Sequence, residues 1–339
     1  VDVARTNAGL AAYGALTGRR VAWLAVLCAL LCAVVVLSLA MGSSAAGLRD
    51  VLRTGLDGVI FWELRLPRVV MGLLVGSGLA VGGAVTQAVL RNPLASPFTL
   101  GVASGAGFGA ALGIVLVSAT AKWAVAGGAF GFALVTVLFI LGVARMKSAT
   151  PETLVLAGVA IMFLFSACTS LAQFLSTEQQ LQAIVFWSFG NLSRAGWGDI
   201  LISAGMILPA LPVLLYRAWD LNLLLAGDEM AASLGVRVDA LRMAALLLAA
   251  LMTAGAICFT GVIGFIGLVG PHLARLLVGG DHRFLLPASA LCGALLVLVS
   301  DMLGRTLFAP HMVPIGIVTA FLGVPFFFAL LMRRRKEFW

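Results

Sequence analysis

Three features of the sequence predict an all-α polytopic membrane protein of about ten transmembrane helices with both termini cytoplasmic. Hydrophobic residues make up 62% of the 339 residues and charged ones 11%, so the bilayer is the chain's main solvent. The apolar stretches reach membrane length with almost no charge inside them, and one polar break, Asp220 to Arg242, interrupts the second half. At ~20 residues per span, the length leaves room for roughly eight to eleven spans and no sizeable soluble domain. Function must then come from helices, short loops or a separate subunit.

Residues 1–20 carry Arg5, Arg19 and Arg20 and read as a cytoplasmic segment. The apolar run that follows, Val21 to Met41, is longer than the ~7–15 residues of a secretory signal and reads as a retained first helix. Hydropathy and chain breakers place helices near 21–41, 67–89, 98–118, 123–143, 153–175, 199–216, 241–261, 263–279, 284–303 and 313–332. The eighth is the weakest, because Gly261, Gly264, Gly267, Gly270 and Pro271 interrupt it. Residues 21–332 thus form one transmembrane domain, with a basic cytoplasmic tail at 333–339.

Charge fixes the direction of the spans. With the N-terminus inside, the outer segments hold Arg49, Arg53, Arg65, Arg68, Lys122, Arg194 and Arg305, and the other 15 of the 22 Lys and Arg fall inside. The net charge of +8 is therefore mainly a topology signal and not one for nucleic acid. Small-xxx-small spacings at Gly72–Gly76, Gly78–Gly82, Gly101–Gly105–Gly109–Gly113 and Gly127–Gly131 predict close helix packing, and Gly105-Ala-Gly107-Phe-Gly109 is packing rather than a nucleotide loop.

Several chemistries are excluded. The five cysteines lie in apolar runs and read as buried thiols, and His272, His282 and His311 have no partner at ligand spacing, so no metal site is expected. No G-x-x-x-x-G-K-[ST] loop occurs, and no span carries an acid, base or nucleophile pair, so no catalytic residue or resident cofactor is expected. The span interiors are nearly bare of ionisable groups, with Asp199, Asp301 and Arg305 near predicted ends, which points to an energy source outside the membrane.

In the polar break, Asp228 and Glu229 open a short helix that Gly235 ends. Ala231, Ala232 and Leu234 give it a small apolar face suited to a groove on another protein, or alternatively to the membrane surface.

Five motifs in order connect these readings to a family: Arg65-Leu-Pro67-Arg68; Arg91-Asn92-Pro93-Leu94-Ala95-Ser96-Pro97 with Leu100-Gly101-Val102-Ala103-Ser104-Gly105; Gly227-Asp228-Glu229-Met-Ala231-Ala232-Ser-Leu234-Gly235; Gly264-Phe-Ile-Gly267-Leu-Val-Gly270-Pro271-His272 followed by Asp281-His282-Arg283; and Pro314-Ile-Gly316-Ile-Val-Thr319. From about Phe61 onward the chain resembles the permease subunit of type II ABC importers, the FecCD group that takes up ferric siderophores, haem and cobalamin. The resemblance implies a ten-helix permease of the bacterial cytoplasmic (inner) membrane, paired with a second copy or a paralogue. It also implies two ATPase subunits, which supply ATP and Mg, and a periplasmic or lipoprotein substrate-binding protein.

Residue by residue, Gly227, Asp228, Glu229, Ala231, Ala232, Leu234 and Gly235 resemble a coupling helix that seats in the ATPase. Arg65, Arg68 and Arg305 match arginines that face carboxylates on the binding protein; on the outer face they run against the positive-inside trend, and interfacial snorkelling is the alternative. Asn92, Pro93, Leu94 and Ala95 match a segment that closes the pathway on the inside, where Leu94 can plug by dewetting; a simple tight turn is the alternative. Gly270 stands where relatives often carry a larger apolar residue, and a glycine before proline is expected to loosen the broken helix. On family breadth a ferric siderophore is the favoured cargo, with haem or cobalamin next. An ion-coupled carrier working alone, using Asp301 and Arg305, is the competing class. A non-transporting scaffold would leave the outer arginines and the polar break without purpose.

Overall fold

The computed structural model of the chain describes residues 3–41, 56–146, 150–307 and 311–332. Every regular element among them is helical. The order is α1 (Val3–Ala40), α2 (Leu56–Val59), a π-helical turn (Ile60–Arg65), α3 (Leu66–Leu90), α4 (Val102–Leu116), α5 (Lys122–Met146), α6 (Pro151–Phe174), α7 (Glu178–Ser188), α8 (Trp197–Ile207), α9 (Ala210–Tyr216), α10 (Ala218–Leu225), α11 (Asp228–Ser233), α12 (Val238–Thr260), α13 (Ile266–Val278), α14 (His282–Thr306) and α15 (Ile315–Met332). Among the described residues, seven helical stretches are long and apolar enough to cross a membrane, and three shorter apolar helices lie in α4, α13 and α15. Each of the ten predicted segments has a helical counterpart. Arg49, Arg53, Lys147 and the tail 333–339 lie outside the described residues.

The fold is built around α3. Pro67 sits in its first turn, where the missing N–H costs nothing, and Arg91 ends it in a left-handed conformation at φ 46°. Twenty of its 25 residues are buried, against α12, α13 and α14, because small residues recur around the whole circumference. A Cβ at Gly76 would collide with the backbone of Gly293 on α14, and one at Gly83 with the carbonyl of Gly267 on α13. Gly109 and Gly128 meet in the same way between α4 and α5.

Not every predicted glycine contact forms. Gly127 and Gly131 meet open space, since Gly128 is the residue of α5 that packs. Gly270 is buried, and a side chain there would press on Ala80 of α3 at 2.9 Å, so this glycine lets the Pro271-containing helix approach closely.

Three further elements depart from the sequence reading. Residues 3–20 are helical, and α1 runs without a break from Val3 into the first span. Only one face of α1 packs, through Leu27 and Val34, so Cys28 and Cys32 are exposed and not buried, whereas Cys258 and Cys292 are buried. The predicted 199–216 helix divides at Pro209 into α8 and α9, and α7 intervenes where no helix is predicted. Thr177 and Gln180 form a reciprocal capping box that starts α7.

Candidate functional site

The polar break folds into α10 and α11, and both are fixed to the ends of long helices. Gly227, at φ 118°, supplies the turn between them, and Gly235, at φ 87°, ends α11. The Asp228 carboxylate accepts from Arg91, at the end of α3, and from Arg242 Nη2 on α12 at 3.0 and 3.1 Å. Arg242 is 4% exposed and Asp228 43%, so a surface carboxylate neutralises a buried guanidinium. Leu221 and Leu224 of α10 are buried beneath this junction.

Within α11 the residues separate into two faces. Ala231 is fully buried in the chain's own core, so it does not belong to the outward face assigned to it from sequence. Glu229, Met230, Ala232 and Ser233 are exposed, as are Leu234 and Gly235 just beyond the helix, with Met230 and Leu234 at 53% and 60%.

Directly after Arg91 comes the turn Asn92-Pro93-Leu94-Ala95. Asn92 Oδ1 accepts from the Leu94 N–H at 2.9 Å, and Ala95 N–H donates to the Asn92 carbonyl at 3.0 Å. Ala95 is buried and Leu94 projects, 42% exposed. The Arg91–Asp228 pair therefore ties this turn to α11.

A second junction fixes α10. Asn222 Nδ2 donates to Asp281 Oδ1 at 3.0 Å, and Asn222 Oδ1 accepts from the His282 N–H at 2.9 Å. Asp281 also accepts from Arg283 and from Arg20 of α1, and Arg283 stacks over Trp219 with its guanidinium 4.0 Å from the ring centre. Burial pushes the Asp281 carboxyl up, but hydrogen bonds from Arg283 and Asn222 outweigh it and hold the group down at about 2. The sequence reading quotes Asp281-His282-Arg283 only as part of a motif, and Asn222 it misses. The signal is faint, since one Asn in a polar loop has no spacing of its own.

At the opposite end of α3, Arg68, Asp301 and Arg305 form one network. Arg68 grips Asp301 with Nε at 2.9 and 3.0 Å and Nη2 at 2.7 Å, and Arg305 Nε lies 3.4 Å from the same carboxylate. Arg305 also donates to the Ser38 hydroxyl at 2.6 Å, and Arg65 to the Leu39 carbonyl at 3.1 Å, both on α1. Arg65 and Arg305 are 7% and 5% exposed and the Arg68 side chain 15%, so Arg68 is the most accessible of the three. Lys122 and Asp199 pair at this end too, with Lys122 reaching the Arg194 carbonyl. Arg65, Arg68 and Arg305 thus share one network, and Lys122 and Arg194 meet in a second.

Among the described residues no three His, Cys, Asp or Glu side chains gather as a metal site would require. The geometry offers two fixed polar junctions at one end of a helical bundle and an arginine-rich network at the other.

Residues 30–333 match the model of the FecCD transport family. The hemin transport system permease protein HmuU of Yersinia pestis is 40% identical over 306 residues, covering 88% of this chain and 91% of that protein. The cobalamin import system permease protein BtuC of Halobacterium salinarum is 41% identical over 277 residues, 81% of this chain and 74% of its own. A chain solved in an inward-facing conformation and assigned to the metal-chelate type of ABC transporter superposes with a TM-score of 0.84 at 34% identity, covering 91% of this chain and 98% of its own. The chain belongs to the FecCD transport family and is a multi-pass, non-catalytic permease subunit of an ABC importer.

Proposed function

We propose that the chain forms half of the pathway by which an ATP-driven importer moves a bulky metal chelate across the cytoplasmic membrane. The observation behind this reading is the Arg91–Asp228–Arg242 junction. It joins the helix that would meet an ATPase to the turn that would close the pathway, so motion of α11 is passed to Leu94 through a charged contact and not through a flexible loop.

On this reading the seven long and three short apolar helices make ten spans with both termini cytoplasmic, and the chain is multi-pass in an inner membrane. Two ATPase subunits, holding ATP and Mg, seat on Glu229, Met230, Ala232 and Leu234, with Gly227, Asp228, Ala231 and Gly235 setting the helix that presents them. A substrate-binding protein docks at the outer end, first on Arg68, with Arg65 and Arg305 behind it. A second copy or a paralogue completes the pathway. A ferric siderophore remains the favoured cargo on family breadth. Haem is the second reading, favoured by the hemin permease that matches 88% of the chain.

Reconstitution with the ATPase and binding protein tests the proposal. Uptake should need ATP and survive a proton ionophore, because the Asp301 carboxylate is held by Arg68 and Arg305 as a structural ion pair. Uptake abolished by the ionophore and by Asp301→Asn, with folding intact, would favour an ion-coupled carrier.

A further inference from the structure

The loop between α7 and α8 is held by the ends of three other helices. The Phe189 carbonyl accepts from the Gly316 N–H of α15 at 3.0 Å, the Asn191 N–H donates to the Thr260 carbonyl of α12 at 2.6 Å, and Lys122, the first residue of α5, reaches the Arg194 carbonyl at 3.4 Å. Within the loop Asn191 Oδ1 accepts from the Ser193 N–H at 2.7 Å, and Asp199 Oδ2 accepts from the Gly196 N–H at 2.8 Å. Leu192 and Ala195 are buried on its underside, while Asn191, Ser193 and Arg194 are exposed. The loop is therefore a preformed platform and not a loose connection.

On this platform the Arg194 guanidinium has no hydrogen bond or ion pair among the described residues. The other outer cations described do have partners: Arg65 donates to the Leu39 carbonyl, Arg68 and Arg305 hold Asp301, and Lys122 holds the buried Asp199. Glu63, exposed on the neighbouring π-helical turn, makes no ion pair with Arg194. The charge left facing outward here is thus positive.

Position and charge together select the partner. Because the loop crosses the outer ends of α5, α12 and α15, Arg194 lies above the bundle and not on a flank turned to lipid. Trp197, three residues further on, donates through Nε1 to the Trp62 carbonyl at 3.1 Å, and Trp62 belongs to the turn that ends at Arg65. The platform therefore adjoins the segment carrying Arg65 and Arg68. A fixed, exposed and unpaired cation beside that segment complements a carboxylate on whatever protein meets Arg68.

We propose that Arg194 is a second docking contact for the substrate-binding protein, pairing with a carboxylate on its surface. The inference rests on the docking reading of Arg68 and extends that surface from α3 to the loop between α7 and α8.

Association of the cargo-free binding protein with the transporter, assembled with its ATPase in phosphatidylcholine nanodiscs, tests it. Arg194→Glu should slow association about tenfold at low salt, Arg194→Lys should keep the unaltered rate within about twofold, and the deficit of Arg194→Glu should shrink as salt is added. The unfolding temperature of Arg194→Glu should be unchanged, since no partner within the chain is lost. An unaltered rate in Arg194→Glu, with Arg68→Glu slow, would overturn this contact and leave docking at Arg68 standing. An equal deficit in Arg194→Lys would also overturn it, because charge would not be what Arg194 supplies. Unaltered rates in both Arg194→Glu and Arg68→Glu would overturn the docking reading itself and this contact with it. A deficit seen only when phosphatidylglycerol is added, or only with cargo-loaded binding protein, would give Arg194 to a lipid headgroup or to the cargo and would likewise overturn the proposal.

Discussion

At one end of α3 the shared carboxylate, Asp301, is 3% exposed and gripped by Arg68 and Arg305; at the other end the carboxylate, Asp228, is 43% exposed and the buried member is Arg242, at 4%. Both clusters join helices distant in sequence, and both place one acid between two guanidiniums. They differ in which sign is buried. Where the acid is buried among arginines, its loss leaves several cations facing each other away from water. Where one arginine is buried beneath a surface acid, the junction can exchange its carboxylate contact for water or for a partner. The first arrangement suits a fixed scaffold and the second a moving joint.

The largest effect is expected at the buried acid. Asp301→Ala should cost about 3–5 kcal/mol, because it strands the guanidiniums of Arg68 and Arg305. Thermal unfolding in detergent measures it, and a loss no larger than that of Asp228→Ala would erase the contrast. Replacing Asp228 by Ala should destabilise by about 1–3 kcal/mol, leaving Arg242 with only the looser Asp239 contact at 4.0 Å, yet it should sharply reduce the transport obtained per ATP hydrolysed. Glu229→Arg sharpens this further, since Glu229 is exposed: stability should be unchanged while ATPase assembly or coupling fails.

A smaller effect separates the three outer arginines. All three reversals should lower the unfolding temperature, Arg68→Glu because it strands the buried Asp301 carboxylate, whereas Arg68→Glu, the most accessible, should in addition slow binding-protein docking in a salt-dependent manner. Equal docking by all three variants would show that burial does not distinguish their roles. The smallest effect concerns pH at the Asn222–Asp281 junction. The folded-state carboxyl is held at about 2, below its ordinary value of 3.8, so its stabilisation is complete above that ordinary value and is lost as pH falls toward the folded one. Asp281→Asn should remove that stabilisation at neutrality and flatten the stability profile between pH ~4 and ~2, so that variant and wild type converge only in acid.

The membrane class, the helical segments and the position of the short Asp228–Ser233 helix were legible in the sequence because they depend on local quantities: hydropathy over a span, breakers between spans and turn-forming glycines at Gly227 and Gly235. The short helix α7 was also legible in principle, through the Thr177–Gln180 capping pattern, but its eleven residues fall below the length that hydropathy detects. Motif order, read against a family, was enough to identify the permease class. Which face of α11 is buried was not legible, because Ala231 and Ala232 are chemically alike and only packing against the core separates them.

Nor could the sequence pair Asp228 with Arg91, 137 residues away, or Arg68 with Asp301, 233 residues away. Charges in predicted loops reveal a side of the membrane but carry no information about which of them meet. By itself the sequence determined a multi-spanning helical permease, since the bilayer imposes its demand on every segment separately. The tertiary structure alone decided that Arg65, Arg242 and Arg305 are buried and that α11 is tied to the Asn92–Ala95 turn, because those facts depend on where glycine-lined helices stop approaching each other.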